Sequence, residues 1–417
     1  MNDRYLVISA DCHGGASLVD YKPFLDRAYH DEFDAWASTY VIDFDDLVSE
    51  NANRNWDSDR RLADLERDGI VAEVIYPNTI PPFFPKASLT ALPAARDRAD
   101  YERRWAGLQA HNRWLAAFCA AAPGRRAGIA QVMLEDIEAA VAEVRKSHAA
   151  GLTGGILLPG VPPGQAVPQL HVADYYEPLF AVCDELGMPV NHHGGSATPP
   201  MGDTDDAKVI FLLETTWFSH RALVHLMVSG VMERHPSLRF VFTEQGTAWI
   251  PEELMRLDYF FHRMATAEGS QEYVWGKSVM DKLSMRPSEY WARQCYVGAS
   301  FIRPAEVPLR HAVGLDRVMW GSDYPHKEGT EPYTIEALRA SFAGVPHDET
   351  AMLLGGNAAS VYGFDRALLD PIAARVGPLV TDVDVPLNRG DVPMHAEKCP
   401  ALFGFGSSDI QPKTKGF

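Results

Sequence analysis

The sequence predicts an α/β fold, a (β/α)8 TIM barrel with inserted lid loops and a C-terminal extension. Short apolar, β-branched segments alternate with longer helical patterns, which is typical of parallel β/α units. The apolar segments number eight, the count that closes this barrel. A doubly wound open sheet is the alternative, but the glycine-rich turn GxGxxG that usually follows its first strand is absent from the sequence.

The predicted elements follow one another along the first 365 residues. The predicted strands are Tyr5–Ala10, Val71–Tyr76, Ala127–Val132, Gly155–Leu158, Met188–Asn191, Leu238–Thr243, Cys295–Ala299 and Arg317–Trp320. The predicted helices are Asp59–Arg67, Tyr101–Ala122, Leu134–Ala149, Asp174–Leu186, Asp206–Arg234 and His347–Tyr362.

Long connections complete the predicted architecture. Segments 21–57, 77–98 and 265–293 are predicted to be irregular, and long loops inside a compact domain usually form lids or binding sites. Residues 366–417 contain several Pro and Gly and no clear period. We therefore expect residues 1–365 to form the barrel and residues 366–417 to form a tail that wraps it.

The composition restricts the partners and the compartment. The 417-residue chain has 38 Lys and Arg against 56 Asp and Glu, a formal net charge of −18, which argues against nucleic acid or an anionic membrane. It contains no run of 18 apolar residues, and its N-terminal apolar run is too short for a signal peptide. The five Cys include no CxxC spacing, which disfavours disulfides and a thiolate zinc site. We expect a cytoplasmic homo-oligomer that acts on a small molecule.

Residues that can bind metal ions follow the predicted strands. These residues are Asp11 and His13 after the first strand, His192 and His193 after the fifth, Glu244 after the sixth, and Asp323 and His326 after the eighth. The carboxyl ends of the strands form the catalytic face of this fold. In the Asp-x-His pair both side chains point to one side of an extended backbone. Asp323 alone could simply cap a turn, but the joint pattern predicts a metal centre, and carboxylate and imidazole suit Zn, Mn or Fe.

Five sequence segments carry a family resemblance. ISADCHGG, MPVNHHGG, FVFTEQGTAWIPEELMRLD, VMWGSDYPH and LLGGNAASVYGF resemble the amidohydrolase-related superfamily, in particular the branch containing aminocarboxymuconate-semialdehyde decarboxylase. The resemblance runs from about residue 5 to residue 365. It implies metal ligands at Asp11, His13, Asp323 and a His after the fifth strand. We prefer His193, which directly precedes the Gly pair, and His192 stays possible.

The chain departs from that branch in two places. The branch usually has a His followed by Gly after the sixth strand, where this chain has Glu244. His326, three residues beyond Asp323, could supply another nitrogen ligand. The resulting surplus of carboxylate and imidazole donors is typical of a dinuclear iron site. The whole sequence also resembles a TIM-barrel subgroup that includes a nonheme diiron monooxygenase acting on a CoA-linked diterpenoid.

The leading hypothesis is therefore a diiron monooxygenase with two Fe per chain. Asp323, Glu244 and His192 would be catalytic, and the metal ligands would be Asp11, His13, His193, Glu244, Asp323 and His326. With O2 and electrons from an unidentified donor, it would hydroxylate a bulky apolar substrate, which the resemblance suggests is CoA-linked, terpenoid or acyl. The alternative is a Zn or Mn hydrolase or non-oxidative decarboxylase, in which the metal lowers the pKa of bound water to about 7 and Asp323 acts as base. A barrel that has lost catalysis and serves as a scaffold is the third hypothesis.

Three further residues are candidates for binding the substrate. His111 lies in a polar-aromatic helix segment, although a helix histidine bonded to a nearby carbonyl is the more common case. Arg221 lies in the helix after the fifth strand, where it could reach the barrel mouth. Arg303 follows the seventh strand and could hold an anionic group.

Overall fold

A computed structural model of the chain describes residues 3–42, 45–85 and 94–403. Each of the eight predicted strands is present, and the third is split at Ile129 into two short strands. The strands are β1 (Ile8–Gly14), β2 (Ala72–Pro77), β3 (Arg126–Gly128), β4 (Ala130–Gln131), β5 (Ile156–Leu157), β6 (Val190–His193), β7 (Phe240–Thr243), β8 (Cys295–Ala299) and β9 (Val318–Trp320).

The strands pair side by side in chain order, and every pairing is parallel. The split divides the ladder into the sheets β1–β2–β3 and β4–β9. Backbone hydrogen bonds join the sheets at both seams: Ile129 N donates to Ile75 O over 3.1 Å, and His13 N donates to Tyr324 O over 2.7 Å. The predicted (β/α)8 barrel is therefore confirmed, with its third strand interrupted.

The helices surround the strands. They are α1 (His30–Ala37), α2 (Asp45–Val48), α3 (Ser58–Arg67), α4 (Arg98–Ala120), α5 (Ile137–Ala149), α6 (Ala173–Leu186), α7 (Asp205–Ser229), α8 (Val231–Arg234), α9 (Trp249–Thr266), α10 (Gln271–Met280), α11 (Pro287–Gln294), α12 (Arg310–Val313), α13 (Thr334–Phe342), α14 (His347–Ala351), α15 (Asn357–Tyr362), α16 (Arg366–Val376) and α17 (Val380–Val383). Each predicted helix is present, but Asp206–Arg234 is divided at Gly230 into α7 and α8, and the last is interrupted by a π-turn at residues 352–356. Among the described residues, no helix combines the length and apolarity needed to cross a membrane.

Two segments predicted to be irregular contain helices. Segment 265–293 includes α10 and α11, which begin at local caps: the Ser270 hydroxyl accepts from Tyr273 N over 3.2 Å, and Pro287 stands at the first turn of α11. Segment 21–57 includes α1 and α2. The irregular prediction was therefore wrong in these parts, because it searched for apolar periods longer than such short helices provide. Residues 43–44 and 86–93 of the predicted lids lie outside the described residues.

The C-terminal segment packs on the barrel and is partly helical. Leu369 and Ala373 of α16 are buried in the cluster that also contains Ile8 and Val74 of the central strands. Tyr5 N donates to Pro378 O over 3.0 Å, which fixes the segment beside the start of the chain. Residues 404–417 lie outside the described part, and the domain division at 365 stays a prediction.

Candidate metal centre

A β-bulge in β1 directs Asp11 and His13 into the barrel. Ser9 pairs with Glu73, but Cys12 pairs with Ile75, so β1 has one extra residue between these points. Such a bulge reverses the alternation of side chains along the strand. Asp11 and His13 therefore lie on the inner face and are buried, as parts of β1 rather than after it as the sequence predicted. The His13 Nδ1 lies 3.3 Å from Pro77 O, which leaves Nε2 facing the cluster.

His193 is the inward residue at the end of β6. Its Nδ1 lies 3.0 Å from Gly194 O, and its Nε2 lies 3.6 Å from Asp11 Oδ1. His192 points the other way, because neighbouring residues of a strand face opposite sides. Its Nδ1 lies 3.1 Å from Leu158 O, its ring lies near Phe242, and burial lowers its pKa to about 4. The structure thus brings His193 to the cluster, and the expected catalytic role of His192 loses its geometric basis.

Glu244 follows β7 at the open side of the cluster. Its backbone adopts a left-handed conformation with φ 55°, which is uncommon for a residue other than glycine and tends to occur at functional sites. Its Oε2 lies 3.0 Å from His193 Nε2, and 38% of its side chain is exposed. Gly194 allows this approach, since a Cβ there would lie 2.5 Å from Glu244 O. Glu244 is therefore the donor most open to an incoming molecule.

Asp323 and His326 complete the cluster from the loop after β9. Asp323 also has a left-handed φ, 59°, and its N donates to Asp11 O over 2.9 Å. Its Oδ1 lies 3.3 Å from His13 Nε2 and 2.9 Å from His326 Nδ1. The His326 ring stacks on His13 at 4.1 Å, and its Nε2 lies 3.1 Å from Asn78 Oδ1. Both ring nitrogens of His326 therefore have partners, whereas Nε2 of His13 and Nε2 of His193 have no hydrogen-bond partner among the described residues.

The six predicted metal-binding residues form two overlapping groups of donors. One group is Asp11, His13, His193 and Glu244, and the other is His13, Asp323 and His326; within each, the donor atoms lie within 4.8 Å of one another. Their role as ligands stays a prediction.

The polar atoms of the cluster fit a cation. Four of them are buried without a hydrogen-bond partner among the described residues: Asp11 Oδ1, His13 Nε2, His193 Nε2 and Asp323 Oδ2. Leaving such atoms unpaired costs about 1–3 kcal/mol each. A divalent cation would satisfy Asp11 Oδ1, His13 Nε2 and His193 Nε2 and would offset the repulsion among three neighbouring carboxylates.

The electrostatics of the cluster favour positive charge. Burial by itself would lower the pKa of His193, but the charges of Glu244 and Asp11 outweigh it and raise that pKa to about 9. Burial would raise the pKa of Asp11, yet the neighbouring imidazoles of His13 and His193 hold it below its usual range. Burial, together with the charges of Asp323 and Asp11, raises the pKa of Glu244 to about 7. A field that retains protons on imidazole also attracts a metal ion, which would displace those protons on binding.

The three predicted substrate-binding residues lie in different surroundings. His111 is fully buried on α4, where its Nδ1 lies 2.8 Å from the Tyr21 hydroxyl. Arg221 is half-buried on α7, and no hydrogen bond or ion pair to a described residue links it to the donor cluster. Arg303 is half-exposed; its Nε donates to Glu306 Oε2 over 2.8 Å beside the loop that follows Glu244. Of the three, Arg303 is the one placed at the mouth.

The structure adds residues that the sequence did not single out as site residues. Asn78 contacts His326, and the Tyr76 hydroxyl lies 2.7 Å from Thr243 Oγ1 beneath the His193 ring. Gln131 is buried on β4 with both side-chain polar atoms unpaired among the described residues. Asn78 follows β2 just as the predicted donors follow other strands, so its position was the signal that could have identified it.

Comparison with known protein families shows to which family the chain belongs. The model of an amidohydrolase family (Amidohydro_2) matches residues 29–364. This chain belongs to the amidohydrolase family. The coarser part of the resemblance inferred from the sequence segments is therefore confirmed.

The curated relatives that match the chain are decarboxylases, and so are two solved structures of the same fold. The chain is 27% identical to the gamma-resorcylate decarboxylase of Rhodococcus jostii over 294 residues, 67% of this chain and 81% of that protein. It shares its fold with the 5-carboxyvanillate decarboxylase of Novosphingobium aromaticivorans complexed with manganese and 4-hydroxy-3-methoxy-5-nitrobenzoic acid, with a TM-score of 0.62, 20% identity and coverage of 87% of this chain and 97% of that one. A dihydroxybenzoic acid decarboxylase of Polaromonas with bound manganese and the inhibitor 2-nitroresorcinol gives a TM-score of 0.58 at 18% identity, with 88% and 99% covered.

These findings overturn the leading hypothesis from the sequence. The prediction of an iron-dependent monooxygenase was wrong, because the matching relatives are decarboxylases. Two solved structures of the same fold, also decarboxylases, contain manganese. The expected need for O2 and for an electron donor was part of that hypothesis alone. The non-oxidative alternative, which the sequence analysis ranked second, is the one that the relatives favour.

Proposed function

We propose that this protein is a metal-dependent, non-oxidative decarboxylase of a hydroxylated aromatic carboxylic acid. The observation that most strongly supports this proposal is a set of buried, unpaired donor atoms at the carboxyl ends of the strands. They belong to Asp11, His13, His193 and Asp323. The substrate class comes from the gamma-resorcylate and 5-carboxyvanillate decarboxylases to which the chain is similar. Manganese, which is bound in related structures, is the proposed metal.

The reaction breaks one carbon–carbon bond and needs no oxidant. CO2 leaves, the electron pair of the broken bond stays on the ring carbon, and that carbon takes up one proton. A divalent cation supplies Lewis acidity here, drawing electron density from anionic oxygen atoms of the substrate. The remaining requirements are to orient the carboxylate and to transfer a proton, for which Arg303 at the mouth and the buried Asp323 are available.

We assign the proton transfer to Asp323. Its Oδ2 is buried and has no hydrogen-bond partner among the described residues, while its Oδ1 is held by His326. Because Asn78 fixes the far nitrogen of that ring, His326 acts as a positioning residue for Asp323 rather than as a further ligand. Glu244, the exposed donor at the rim, contacts the substrate from the open side.

Arg303 is the proposed recognition residue for the anionic substrate. Its Nε is occupied by Glu306, whereas half of the side chain is exposed beside the Glu244 loop. A planar guanidinium can bind a carboxylate with two parallel hydrogen bonds. The net charge of −18 would otherwise repel an anionic substrate, so a local cation at the mouth matters.

The test is metal-dependent CO2 release under anaerobic conditions. Protein stripped with a chelator and reloaded with Mn or Zn is incubated with 2,6-dihydroxybenzoate and with 5-carboxyvanillate, and CO2 and the phenol are measured. We expect release of CO2 without O2, loss of activity in His193→Asn, and retained activity in the matched control His225→Asn on α7. Turnover that requires O2, or hydrolysis of ester or amide substrates without any CO2 release, would contradict the proposal.

The replacement of the usual imidazole by Glu244 is tested separately. Glu244→Gln keeps the size of the side chain and removes the carboxylate, and Glu252→Gln makes the same change at an exposed position of α9. We expect the first variant to lose at least about tenfold in kcat/KM and the second to behave like the wild type. Equal activity of both variants would remove Glu244 from the proposed mechanism.

A further inference from the structure

Gln131 carries a buried amide that has no hydrogen-bond partner in the described part of the chain. It is the last residue of β4 and has no exposed surface. Neither Oε1 nor Nε2 of its side chain is paired with a described residue. A buried polar group without a partner weakens a fold, and such groups in native proteins usually have a functional reason.

The side chain of Gln131 points into the barrel. Successive residues of a strand face opposite sides. Ala130 belongs to the apolar cluster that contains Leu115 of α4, outside the strands. Ile129 belongs instead to the cluster that contains Leu157 and other residues of the central strands. Gln131 comes two residues after Ile129 and therefore shares its inward direction.

Asn112 of α4 holds the backbone of Gln131 in place. Its Oδ1 accepts from Gln131 N over 2.9 Å, and its Nδ2 donates to Gln131 O over 3.0 Å. The same Nδ2 also donates to Glu143 Oε1 over 3.0 Å. Because its backbone is fixed on both sides, Gln131 presents its amide in a set direction, as a binding residue requires.

The amide of Gln131 lies in the same part of the barrel interior as the donor cluster. In the strand register Gln131 pairs with Leu157, which pairs with Asn191 of β6. The Tyr76 hydroxyl donates to Asn191 Oδ1 over 3.4 Å, so the Tyr76 side chain crosses from β2 to β6 past the inner face of β4. The Tyr76 ring also lies 4.8 Å from the His193 ring, which joins this level of the barrel to the donor cluster.

From this placement we infer that Gln131 is a specificity-determining residue that binds a ring hydroxyl beside the carboxylate of the substrate. The inference rests on the proposed decarboxylase function. Oε1 accepts the hydrogen bond of the hydroxyl, and Nε2 donates to the neighbouring carboxylate oxygen. The inward neighbours Ile129 and Leu157 are apolar and cannot pair with the amide. A site built to bind a hydroxyl rejects an analogue that lacks it, because the buried amide then stays unpaired.

The first test compares two ligands that differ by one hydroxyl. Mn-loaded wild type, Gln131→Leu and Gln109→Leu are titrated with 2-nitroresorcinol and with 2-nitrophenol, which keeps one hydroxyl for the metal. We expect the wild type to bind 2-nitroresorcinol at least about 30-fold more tightly, and Gln131→Leu to bind both within about threefold. Gln109 is half-buried on α4 and donates to Glu143 Oε2 over 2.8 Å, so Gln109→Leu is the matched control and should discriminate like the wild type.

The preference in turnover should change in the same way. The ratio of kcat/KM for 2,6-dihydroxybenzoate to kcat/KM for salicylate, which has a single hydroxyl, should fall at least about tenfold in Gln131→Leu. A ratio and a binding preference that are the same in the wild type and in the variant would overturn the inference, whatever the stability of the variant.

The second test separates recognition from a structural role. Gln294 is also a buried amide, but its Nε2 donates to His235 O and Leu238 O, both over 2.9 Å. We expect Gln294→Leu to lower the midpoint of thermal unfolding. Gln131→Leu removes unpaired atoms and should leave that midpoint unchanged or raise it. If Gln131→Leu does not fold, Gln131→Met, which is also apolar and of similar length, takes its place in every comparison.

Failure of this inference is distinguishable from failure of the proposed function. If the wild type releases CO2 from 2,6-dihydroxybenzoate and Gln131→Leu keeps the full preference for the second hydroxyl, only the role of Gln131 is overturned. If the Mn-loaded wild type neither binds 2-nitroresorcinol nor releases CO2 from any of the acids, the proposed function fails, and this inference fails with it.

Discussion

Gly321 allows the loop that carries Asp323 to approach strand β1, which carries Asp11. It lies between β9 and Asp323, and a Cβ at this position would lie 2.6 Å from the Asp11 Cβ and 3.0 Å from Asp11 N. Ordinary contacts begin near 3.4 Å, so Gly321→Ala must move the Asp11 strand by about 0.8 Å. Metal–ligand distances tolerate only about 0.2 Å. We therefore expect Mn affinity to fall about 10- to 100-fold with every donor still present.

Calorimetric titration of the metal-free protein with Mn measures this loss. Gly356→Ala is the matched control, because its nearest neighbour would lie at 3.4 Å, an ordinary contact. The Gly321 variant should stay folded, since overpacking of this size costs about 1–3 kcal/mol of unfolding free energy. If it folds and binds Mn as tightly as the wild type, the close approach of the two strands does not organise the site.

Three other changes probe separate parts of the account. Burial raises the pKa of Asp68 to about 7, although the Thr334 hydroxyl donates to its carboxyl. Its proton therefore stabilises the folded state fully below pH 4, and that stabilisation is lost as the pH rises to 7. In chemical denaturation, Asp68→Asn should raise the unfolding free energy by up to about 4 kcal/mol at pH 8 and hardly at pH 4. His192→Asn should leave Mn affinity within about threefold of the wild type, whereas His193→Asn should reduce it at least about 100-fold in the same titration. Arg303→Ala should raise KM for an aromatic carboxylate about tenfold with a smaller change in kcat, and an unchanged KM would remove Arg303 from substrate binding.

The barrel could be predicted because its signals are local. Each strand is a short apolar segment between helical patterns, and eight of them specify the fold. The split of the third strand at Ile129 depends on which neighbour each half pairs with, which is a tertiary property. The short helices α10 and α11 were missed because single caps start them, without a long apolar period.

The donor residues were predictable, but their directions were not. The sequence shows that Asp11 and His13 follow an apolar segment, whereas the bulge that turns them inward appears only in the pairing of β1 with β2. The same limit kept His192 open as an alternative to the preferred His193. The left-handed conformation of Glu244 has no sequence signal of the kind that a glycine provides.

Counting donors led the functional hypothesis towards two iron ions. That count treated every nearby carboxylate and imidazole as free to bind. In the structure, His192 faces Leu158, and His326 uses both nitrogens on Asp323 and Asn78. Fewer donors therefore face the cluster than the sequence offers, and it is the decarboxylase relatives that overturn the diiron hypothesis.

The most direct test of the central claim couples the metal content to the chemistry. Anaerobic turnover of 2,6-dihydroxybenzoate that carries carbon-13 in its carboxyl group should release labelled CO2 and resorcinol in equal amounts. The rate should rise in proportion to the Mn bound, reaching its plateau when the His13–His193 site is filled. Labelled substrate that stays intact in the fully Mn-loaded protein, across both this acid and 5-carboxyvanillate, or product formation that is independent of bound metal, would contradict the account.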